Sequence, residues 1–176
     1  MIWLHGGAYV IGQSSIYSVE NLVAYTNIIV VTLNYRLGPL GFLCTDDNTV
    51  SGNHGLWDQH LAIRWVHDNI ASFGGDTQRV TLFGESAGGA SAIYQAFYPP
   101  NNNLFQRLIT ESGVSLAPWA YGDKKKLGQY TRKLGEILGC KGQNNSAIVE
   151  CLRNKPYSEL ISKSRVGTPE EELFRP

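Results

Sequence analysis

A strand that passes directly into a helix through a glycine-rich turn constrains this fold more than any other feature of the sequence. Val80–Phe83, which reads VTLF, is predicted to form a short buried strand, and GESAGG follows it at Gly84–Gly89. Ala87–Tyr98 is rich in small residues and predicts a helix that two prolines halt. A strand-to-helix turn this tight forces Ser86 into a strained backbone conformation and lifts its hydroxyl off the sheet.

Elsewhere, apolar runs of strand length alternate with stretches of helical periodicity. Ile28–Leu33 reads IIVVTL and is apolar on both faces, which is typical of a strand covered by helices on each side. The other predicted elements are two strands at Ile2–Leu4 and Leu108–Thr110 and three helices, which run from Asn53 to Ile70, from Leu127 to Leu138 and from a Ser146 cap to Arg153. This alternation predicts an α/β fold with a mostly parallel sheet and helices on both faces.

The residues around Ser86 have the chemistry of a nucleophile beside an oxyanion hole. Gly84, Ala87 and Gly88 are small, as the crowded turn requires, and the N–H of Ala87 lies at a helix start, aimed where negative charge develops on an attacked carbonyl. The first predicted strand ends in His5–Ala8 (HGGA), whose glycines can expose further backbone N–H groups. A serine next to two sets of backbone donors predicts acyl-transfer chemistry.

Charge and composition exclude several classes of partner. Fifteen basic and fifteen acidic residues leave no net charge, and the largest basic cluster is Lys124–Lys126, which we interpret as the solvated start of a helix. A nucleic-acid partner is therefore not predicted. No apolar run is long enough to span a membrane, contact with a membrane surface stays open, and the pattern indicates no cofactor and no metal site.

The three cysteines are unequally placed. Cys140 and Cys151 flank a polar loop that contains Asn144-Asn145-Ser146, an acceptor triplet for N-glycosylation at Asn144. The two thiols either form a disulfide, which would indicate a secreted or extracellular protein, or are reduced and buried. Cys44 has no evident partner and is predicted to be a small core residue.

Four segments of the chain resemble one enzyme family. Phe73–Gly89 (FGGDTQRVTLFGESAGG) is similar to the nucleophile signature of type-B carboxylesterases, the α/β-hydrolases that include cholinesterases, carboxylesterases and bile-salt-activated lipase. The likeness continues in Ile28–Leu43, Gly52–Asp76 and Glu111–Ala120 and covers almost the whole chain. It implies that residues 1–176 are part of a single α/β-hydrolase domain.

The resemblance also implies roles for individual residues. Ser86 matches the nucleophile, and the N–H groups of Gly7, Ala8 and Ala87 match the oxyanion hole, where the family more often has a third glycine in place of Ala8. The remaining matches are Glu85 as an acidic residue that supports the site, Ser112 as a buried serine hydrogen-bonded near it, Trp119 as an acyl-pocket residue, Arg36 with Asp58 as a structural ion pair, and Cys140 with Cys151 as a small disulfide loop. Without the resemblance, Trp119 is equally well interpreted as a core aromatic.

A catalytic serine needs a base, and none follows it here. In α/β-hydrolases the acid and the histidine come after the serine in the chain, whereas His5, His54, His60 and His67 all precede Ser86. His5 is expected at the HGGA turn, and the other three on loops or helix surfaces. We therefore expect the triad acid and histidine to lie beyond the last residue. Since the first residue also falls inside a predicted strand, we expect the chain to be a fragment at both ends and to be inactive in isolation.

Two functions fit these residues. One is a carboxylic ester hydrolase that acts on small-molecule or lipid esters through an acyl-serine intermediate, secreted behind a signal peptide encoded upstream. The other is a non-catalytic cell-adhesion protein with a protein partner, because residues 130–161 resemble the neuroligins, which share the fold. The intact GESAGG segment favours the enzyme.

Overall fold

The computed structural model describes residues 1–164 and 174–176. Its sheet has four strands in the order β2-β1-β3-β4, and every pair of neighbours is parallel. The strands are β1 (Ile2–Leu4), β2 (Val31–Thr32), β3 (Thr81–Glu85) and β4 (Arg107–Glu111). Because parallel strands place their carboxyl ends at one edge, the loops that follow β1 and β3 are neighbours at that edge.

Seven α-helices are formed by the described residues. They are α1 (Glu20–Thr26), α2 (Gly38–Phe42), α3 (His54–Asn69), α4 (Ala87–Phe97), α5 (Lys124–Ile137), α6 (Asn145–Arg153) and α7 (Tyr157–Lys163). Helix α4 packs against β1, β3 and β4, and α3 packs against α4. The parallel sheet and the helices that pack on it confirm the predicted α/β class. No helix in the described part of the chain is long and apolar enough to cross a membrane.

Strand β2 is shorter than the sequence predicts. The apolar run Ile28–Leu33 contributes only Val31 and Thr32 to the sheet. Within the described residues, β2 pairs only with the three-residue strand β1, in the register Ile2 to Val31 and Trp3 to Thr32. A short neighbour offers few ladder partners, so the first half of the apolar run remains outside the sheet.

The helix starts confirm one prediction and correct another. Lys124–Lys126 is exposed at the start of α5, as predicted, and the Asp123 side chain accepts a hydrogen bond from Lys126 N. The cap of α6 is Asn144, whose Oδ1 accepts from Ala147 N at 2.9 Å. The prediction of a Ser146 cap was wrong. The asparagine two residues earlier accepts a hydrogen bond from a first-turn N–H that has no acceptor within the helix.

The core lies between the sheet and the helices. Ile2, Leu4 and Leu82 are at most 1% exposed and join the inner face of α3, where Ile63 is fully buried. Residues of α5 and α6 extend the same apolar cluster, including Leu127, Leu134, Ile148 and Leu152. Cys44 is buried in this cluster and forms no disulfide, as predicted.

Two predicted long-range contacts are present. Cys140 and Cys151 form a disulfide with a Cα–Cα distance of 5.5 Å, which ties the loop after α5 to the last turn of α6. Arg36 Nε and Nη2 donate to the two carboxylate oxygens of Asp58 at 2.7 and 2.8 Å. Asp58 also accepts from Arg36 N, so the pair joins the chain before α2 to helix α3.

One histidine departs from its predicted surface position. His60 lies on the inner side of α3 and is only 8% exposed, and its Nδ1 is 2.6 Å from Asn101 Oδ1. Asn101 in turn donates to Gln95 in α4. The helical periodicity of α3 is too weakly amphipathic to reveal this buried polar contact from the sequence. His54 and His67 are half-buried on the same helix.

Candidate active site

Ser86 is the only residue between β3 and α4. Its backbone has φ +54° and ψ −119°, a conformation that L-residues rarely adopt, as the tight turn predicts. Ser86 N donates to Glu111 O of β4 at 2.8 Å, and Ser86 O accepts from Ala90 N of α4 at 3.1 Å. Both backbone polar groups of the strained residue are therefore held by neighbouring elements, and its side chain remains half-buried.

Three glycines leave no room for side chains around this turn. A Cβ on Gly84 would lie 2.5 Å from the Gly88 backbone, and one on Gly88 would lie 1.9 Å from Leu4 O. A Cβ on Gly113, in the loop after β4, would lie 1.8 Å from Ser86 O. Helix α4 therefore packs closely on β3 and β1, and the loop after β4 packs directly on the backbone of the strained serine. The sequence pattern indicated Gly84 and Gly88, but the contact of Gly113 depends on β3 and β4 being neighbours.

The HGGA turn lies beside Ser86. Gly7, Ala8 and Tyr9 all have positive φ values, of +110°, +53° and +62°, and Gly7 O accepts from Val10 N and Ile11 N, each at 3.0 Å. A Cβ built on Gly6 would lie 3.1 Å from the Cβ of Ser86, so the two turns are in contact. The structure therefore places the HGGA turn against the serine, with Gly6 as the point of contact.

The first residue of α4 adds a further donor. The N–H of Ala87 belongs to the first turn of an 11-residue helix, whose leading N–H groups have no acceptor within the helix and carry partial positive charge. A carbonyl oxygen that gains negative charge near Ser86 could accept hydrogen bonds from this N–H and from the Gly7–Ala8 turn. The arrangement provides a serine beside backbone N–H donors, which are two of the parts that acyl transfer requires.

Glu85 is the acidic residue nearest to the serine in sequence. It ends β3 and is half-buried, and its Oε2 would be 2.7 Å from a Cβ on Gly6. The carboxylate therefore lies against the HGGA turn. This position fits the supporting role that the resemblance implies.

Two residues after β4 are less enclosed than the resemblance implies. Ser112 has φ +54° and follows the glutamate whose carbonyl accepts from Ser86 N, but it is exposed, so the expectation of a buried serine is corrected. The reason is that β4 is the outer strand of the described sheet. Trp119 is 36% exposed, its carbonyl accepts from Arg175 Nη1, and no contact within the described residues joins it to Ser86.

His5 supports the HGGA turn through its buried ring. It is fully buried, its ring stacks on Tyr35 at a centroid distance of 4.4 Å, and its Nδ1 is 2.8 Å from Gly6 O. Because a carbonyl can only accept, Nδ1 carries the proton, and Nε2, which has no partner among the described residues, is the bare nitrogen. Burial lowers the pKa of His5, so the ring is neutral at neutral pH. Tyr35 also donates its hydroxyl to His5 O at 2.7 Å.

Sequence reasoning did not identify Tyr35. Its only signal was a position two residues after the apolar run Ile28–Leu33, because the strands of α/β folds end near the site. Two of the other three histidines are bonded elsewhere, His60 to Asn101 and His67 to Asp68. Among the described residues, no histidine is hydrogen-bonded to Ser86.

Comparison with known proteins matches almost the whole chain to one family. The model of the carboxylesterase family matches residues 1–175. The chain is 46% identical over 161 residues to bile salt-activated lipase of Bos taurus, 43% identical over 163 residues to human neuroligin-2, and 41% identical over 178 residues to acetylcholinesterase of Danio rerio.

The matched regions cover most of this chain but only a small share of each relative. They span 87%, 93% and 99% of this chain, respectively, but only 27%, 19% and 28% of those relatives. The matches confirm the resemblance to type-B carboxylesterases, and the parallel sheet agrees with an α/β-hydrolase fold. The chain therefore belongs to the carboxylesterase family.

Proposed function

We propose that residues 1–176 are part of a longer protein, called the natural protein below. We propose that this protein hydrolyses carboxylic esters through a covalent acyl-serine on Ser86. The observation that carries the proposal is the strained backbone of Ser86, held between β3 and α4 in contact with the HGGA turn. Such strain persists only where the surrounding structure maintains it, and it clusters at sites of function. Membership of the carboxylesterase family supports the same chemistry.

The reaction would proceed in two steps. Ser86 Oγ attacks the ester carbonyl carbon and gives its proton to a histidine base, while the tetrahedral oxyanion accepts hydrogen bonds from the N–H groups of Gly7, Ala8 and Ala87. The alcohol leaves with a proton from the base, and water then hydrolyses the acyl-serine. Glu85 would support the site electrostatically, Ser112 would support it from the end of β4, and Trp119 would line the acyl pocket.

The base and its acid belong, in this proposal, to parts of the natural protein outside residues 1–176. The chain spans 19% to 28% of the relatives named above, and its buried histidines have structural contacts. His5 in particular stacks on Tyr35 and is bonded to Gly6, so it positions the turn and does not act as the base.

A fluorophosphonate probe tests the nucleophile directly. We expect the complete natural protein to be labelled at Ser86 and the Ser86→Ala variant to be unlabelled while remaining folded. Ser115→Ala is the matched control. Ser115 is a half-buried serine of the loop after β4, and its side chain forms no hydrogen bond among the described residues. A folded wild-type protein that takes up no probe at Ser86 would refute the enzyme proposal.

A non-catalytic protein-binding role is the second candidate. It is favoured by one finding, the 43% identity to human neuroligin-2 across 93% of this chain, a level close to that of the lipase. Under this candidate the Ser86 turn would be retained for the fold alone. Folded protein without probe labelling, but with a stable protein partner in a purified binding assay, would favour this role over hydrolysis.

We place the natural protein in an extracellular compartment. The support is the Cys140–Cys151 disulfide, since such bridges persist in oxidising environments and are rare in the cytosol. Mass analysis of the protein recovered from culture medium, without reduction, would show the linked peptides. Two free thiols at these positions in the natural protein would contradict this assignment.

A further inference from the structure

In the loop between α5 and α6, the side-chain amide of Asn144 is exposed, and only its oxygen forms a hydrogen bond among the described residues. Asn144 has extended backbone (φ −142°, ψ 165°) and is exposed, as are the three residues before it. Its Oδ1 accepts from Ala147 N at 2.9 Å and caps α6. Since that oxygen faces the helix, the Nδ2 of the same amide faces away from it, and it has no hydrogen-bond partner among the described residues.

The neighbouring asparagine is arranged in the opposite way. Asn145 is half-buried, donates its Nδ2 to Asp46 Oδ1 at 3.0 Å and accepts from Arg132 Nη1 at 3.1 Å. Arg132 also forms an ion pair with Asp46, so Asn145 is held on both sides. This contact turns Asn145 towards the protein and leaves Asn144 and Ser146 exposed on either side.

Asn144, Asn145 and Ser146 form an Asn-x-Ser acceptor triplet, and the triplet lies inside the loop closed by Cys140–Cys151. The exposed members of the triplet are its two chemically essential residues, the asparagine and the serine. The buried face of α6, which contains Ile148, Val149 and Leu152, is directed away from them into the core. A bulky group on Asn144 therefore meets solvent and not the core.

We infer that Asn144 carries an N-linked glycan while its carbonyl oxygen continues to cap α6. In the modification, Nδ2 forms a bond to the anomeric carbon of an oligosaccharide as that carbon's bond to the phosphate oxygen of a lipid diphosphate donor breaks. One amide proton is lost and the lipid diphosphate leaves. The product is still an amide, so Oδ1 retains its lone pairs and the hydrogen bond from Ala147 N is kept.

The inference rests on the extracellular placement proposed above, and one experiment separates the two. The complete natural protein is secreted from eukaryotic cells, treated with peptide N-glycosidase, and digested without reduction. We expect the linked Cys140–Cys151 peptides to contain aspartate at position 144, since the glycosidase leaves aspartate where it removes a glycan. Recovery from the medium with the disulfide formed but with unmodified Asn144 would overturn the glycan alone. Intracellular protein with both thiols free would overturn both proposals.

Four variants separate the glycan from the cap. Asn144→Asp, Ser146→Ala and Asn144→Ala should each lose the glycan, whereas Ser146→Thr should keep it. Asn144→Asp and Ser146→Ala retain a capping oxygen, so their melting temperatures should match that of the enzymatically deglycosylated wild type. Asn144→Ala removes the cap and should melt at a lower temperature. A melting temperature for Asn144→Ala equal to that of Asn144→Asp would overturn the shared role of the amide.

Discussion

At the scale of single residues, backbone strain and its support are concentrated around Ser86. A non-glycine residue in such a region costs on the order of 1–3 kcal/mol and persists only when neighbours hold it. Here the hydrogen bonds to Glu111 and Ala90 hold the backbone, and Gly113 approaches Ser86 O closely. The conformation of the serine therefore depends on contacts from strand β4, from the loop after it and from helix α4.

Gly88→Ala should destabilise the protein although alanine is the better helix former. In an open helix the change would add about 1 kcal/mol of stability. In α4 the new Cβ would lie 1.9 Å from Leu4 O, and overpacking of this kind costs about 1–3 kcal/mol. Urea unfolding of the natural protein measures the difference in free energy. Gly135→Ala in α5 is the comparison: the nearest atom there, at 2.7 Å, is a side-chain methyl group of Ile148, which can shift more easily than backbone, so the loss should be smaller. A Gly88→Ala variant as stable as wild type would contradict the close contact with Leu4 O.

His5 should make stability fall below about pH 6.5. Burial lowers its pKa in the folded protein, so above the ordinary pKa of about 6.5 both the folded and the unfolded states are neutral and nothing is lost. As the pH falls below that value, the unfolded chain binds a proton that the folded protein does not. The free energy of unfolding then decreases by at most about 1.4 kcal/mol per pH unit until the lowered pKa is reached.

Urea unfolding of wild type and His5→Gln measures this contribution. The range from about pH 7.5 to about pH 5 extends roughly one unit above and one and a half units below the ordinary pKa of histidine. The variant is expected to be less stable at every pH, because it loses the stacking on Tyr35, but to have a shallower decrease. His54 also has a pKa lowered by burial and by Arg36, and it retains its own part of the slope in both proteins. Equal slopes would show that His5 is not held neutral.

At the scale of elements, the second half of the chain is joined to the first by polar contacts. Arg132 of α5 and Asn145 of α6 both bond to Asp46, in the segment after α2. Hydrogen bonds from Arg132 and Asn145 lower the pKa of Asp46 to about 2. Their stabilising contribution is therefore present above about pH 4 and is lost as the pH falls towards 2. These polar contacts thus join the α5–α6 pair to the segment after α2, and the disulfide closes the connection within the pair.

Removal of the disulfide should cost stability without changing the fold of the sheet. Closing a loop of this length restricts the unfolded chain by about 3 kcal/mol at 25 °C in the chain-entropy model. We expect the Cys140→Ala/Cys151→Ala double variant to lose a free energy of unfolding of that order, measured by urea at pH 7. Cys44→Ala serves as the control for loss of a buried thiol without a bridge. A double variant no less stable than that control would indicate that the bridge contributes nothing.

At the scale of the whole molecule, the described sheet ends in two outer strands. Strand β4 pairs only with β3 among the described residues, and its apolar Leu108 and Ile109 are 37% and 43% exposed. An exposed strand edge is a site where another strand can pair. The matched relatives are about four times as long as the part that this chain covers, so we expect further elements of the natural protein at this edge.

Residues 1–176 alone should not catalyse ester hydrolysis at the rate of the natural protein. Loss of the histidine base from a serine triad costs about a millionfold in turnover. We therefore expect hydrolysis of p-nitrophenyl butyrate by the isolated chain to be indistinguishable from that by Ser86→Ala in the natural protein. Far-ultraviolet circular dichroism must show that the isolated chain is folded. A folded chain with a rate near that of the natural protein would show that the base lies within these residues.

Sequence reasoning predicted the fold better than the surroundings of the site. The four strands, the turn at Ser86 and the helix after it follow from local patterns, since apolar runs and glycine positions depend on near neighbours in the chain. The Ser146 cap was wrong because two polar residues competed for one helix start, and Asn144 reached it. The burial of His60 and the exposure of Ser112 depend on which element packs opposite them, and no local pattern carries that information.

The sequence by itself determined the class of fold, the strained serine turn, the HGGA turn and the family. Each of these depends on residue types at short spacing, because backbone conformation is set largely by the residue and its neighbours. Only the tertiary structure decided that Gly113 encloses Ser86, that His5 is buried on Tyr35, and that Asn144 faces solvent while Asn145 does not. Those facts depend on strand order and helix packing, which bring together residues up to about a hundred positions apart, Asp46 and Asn145 among them.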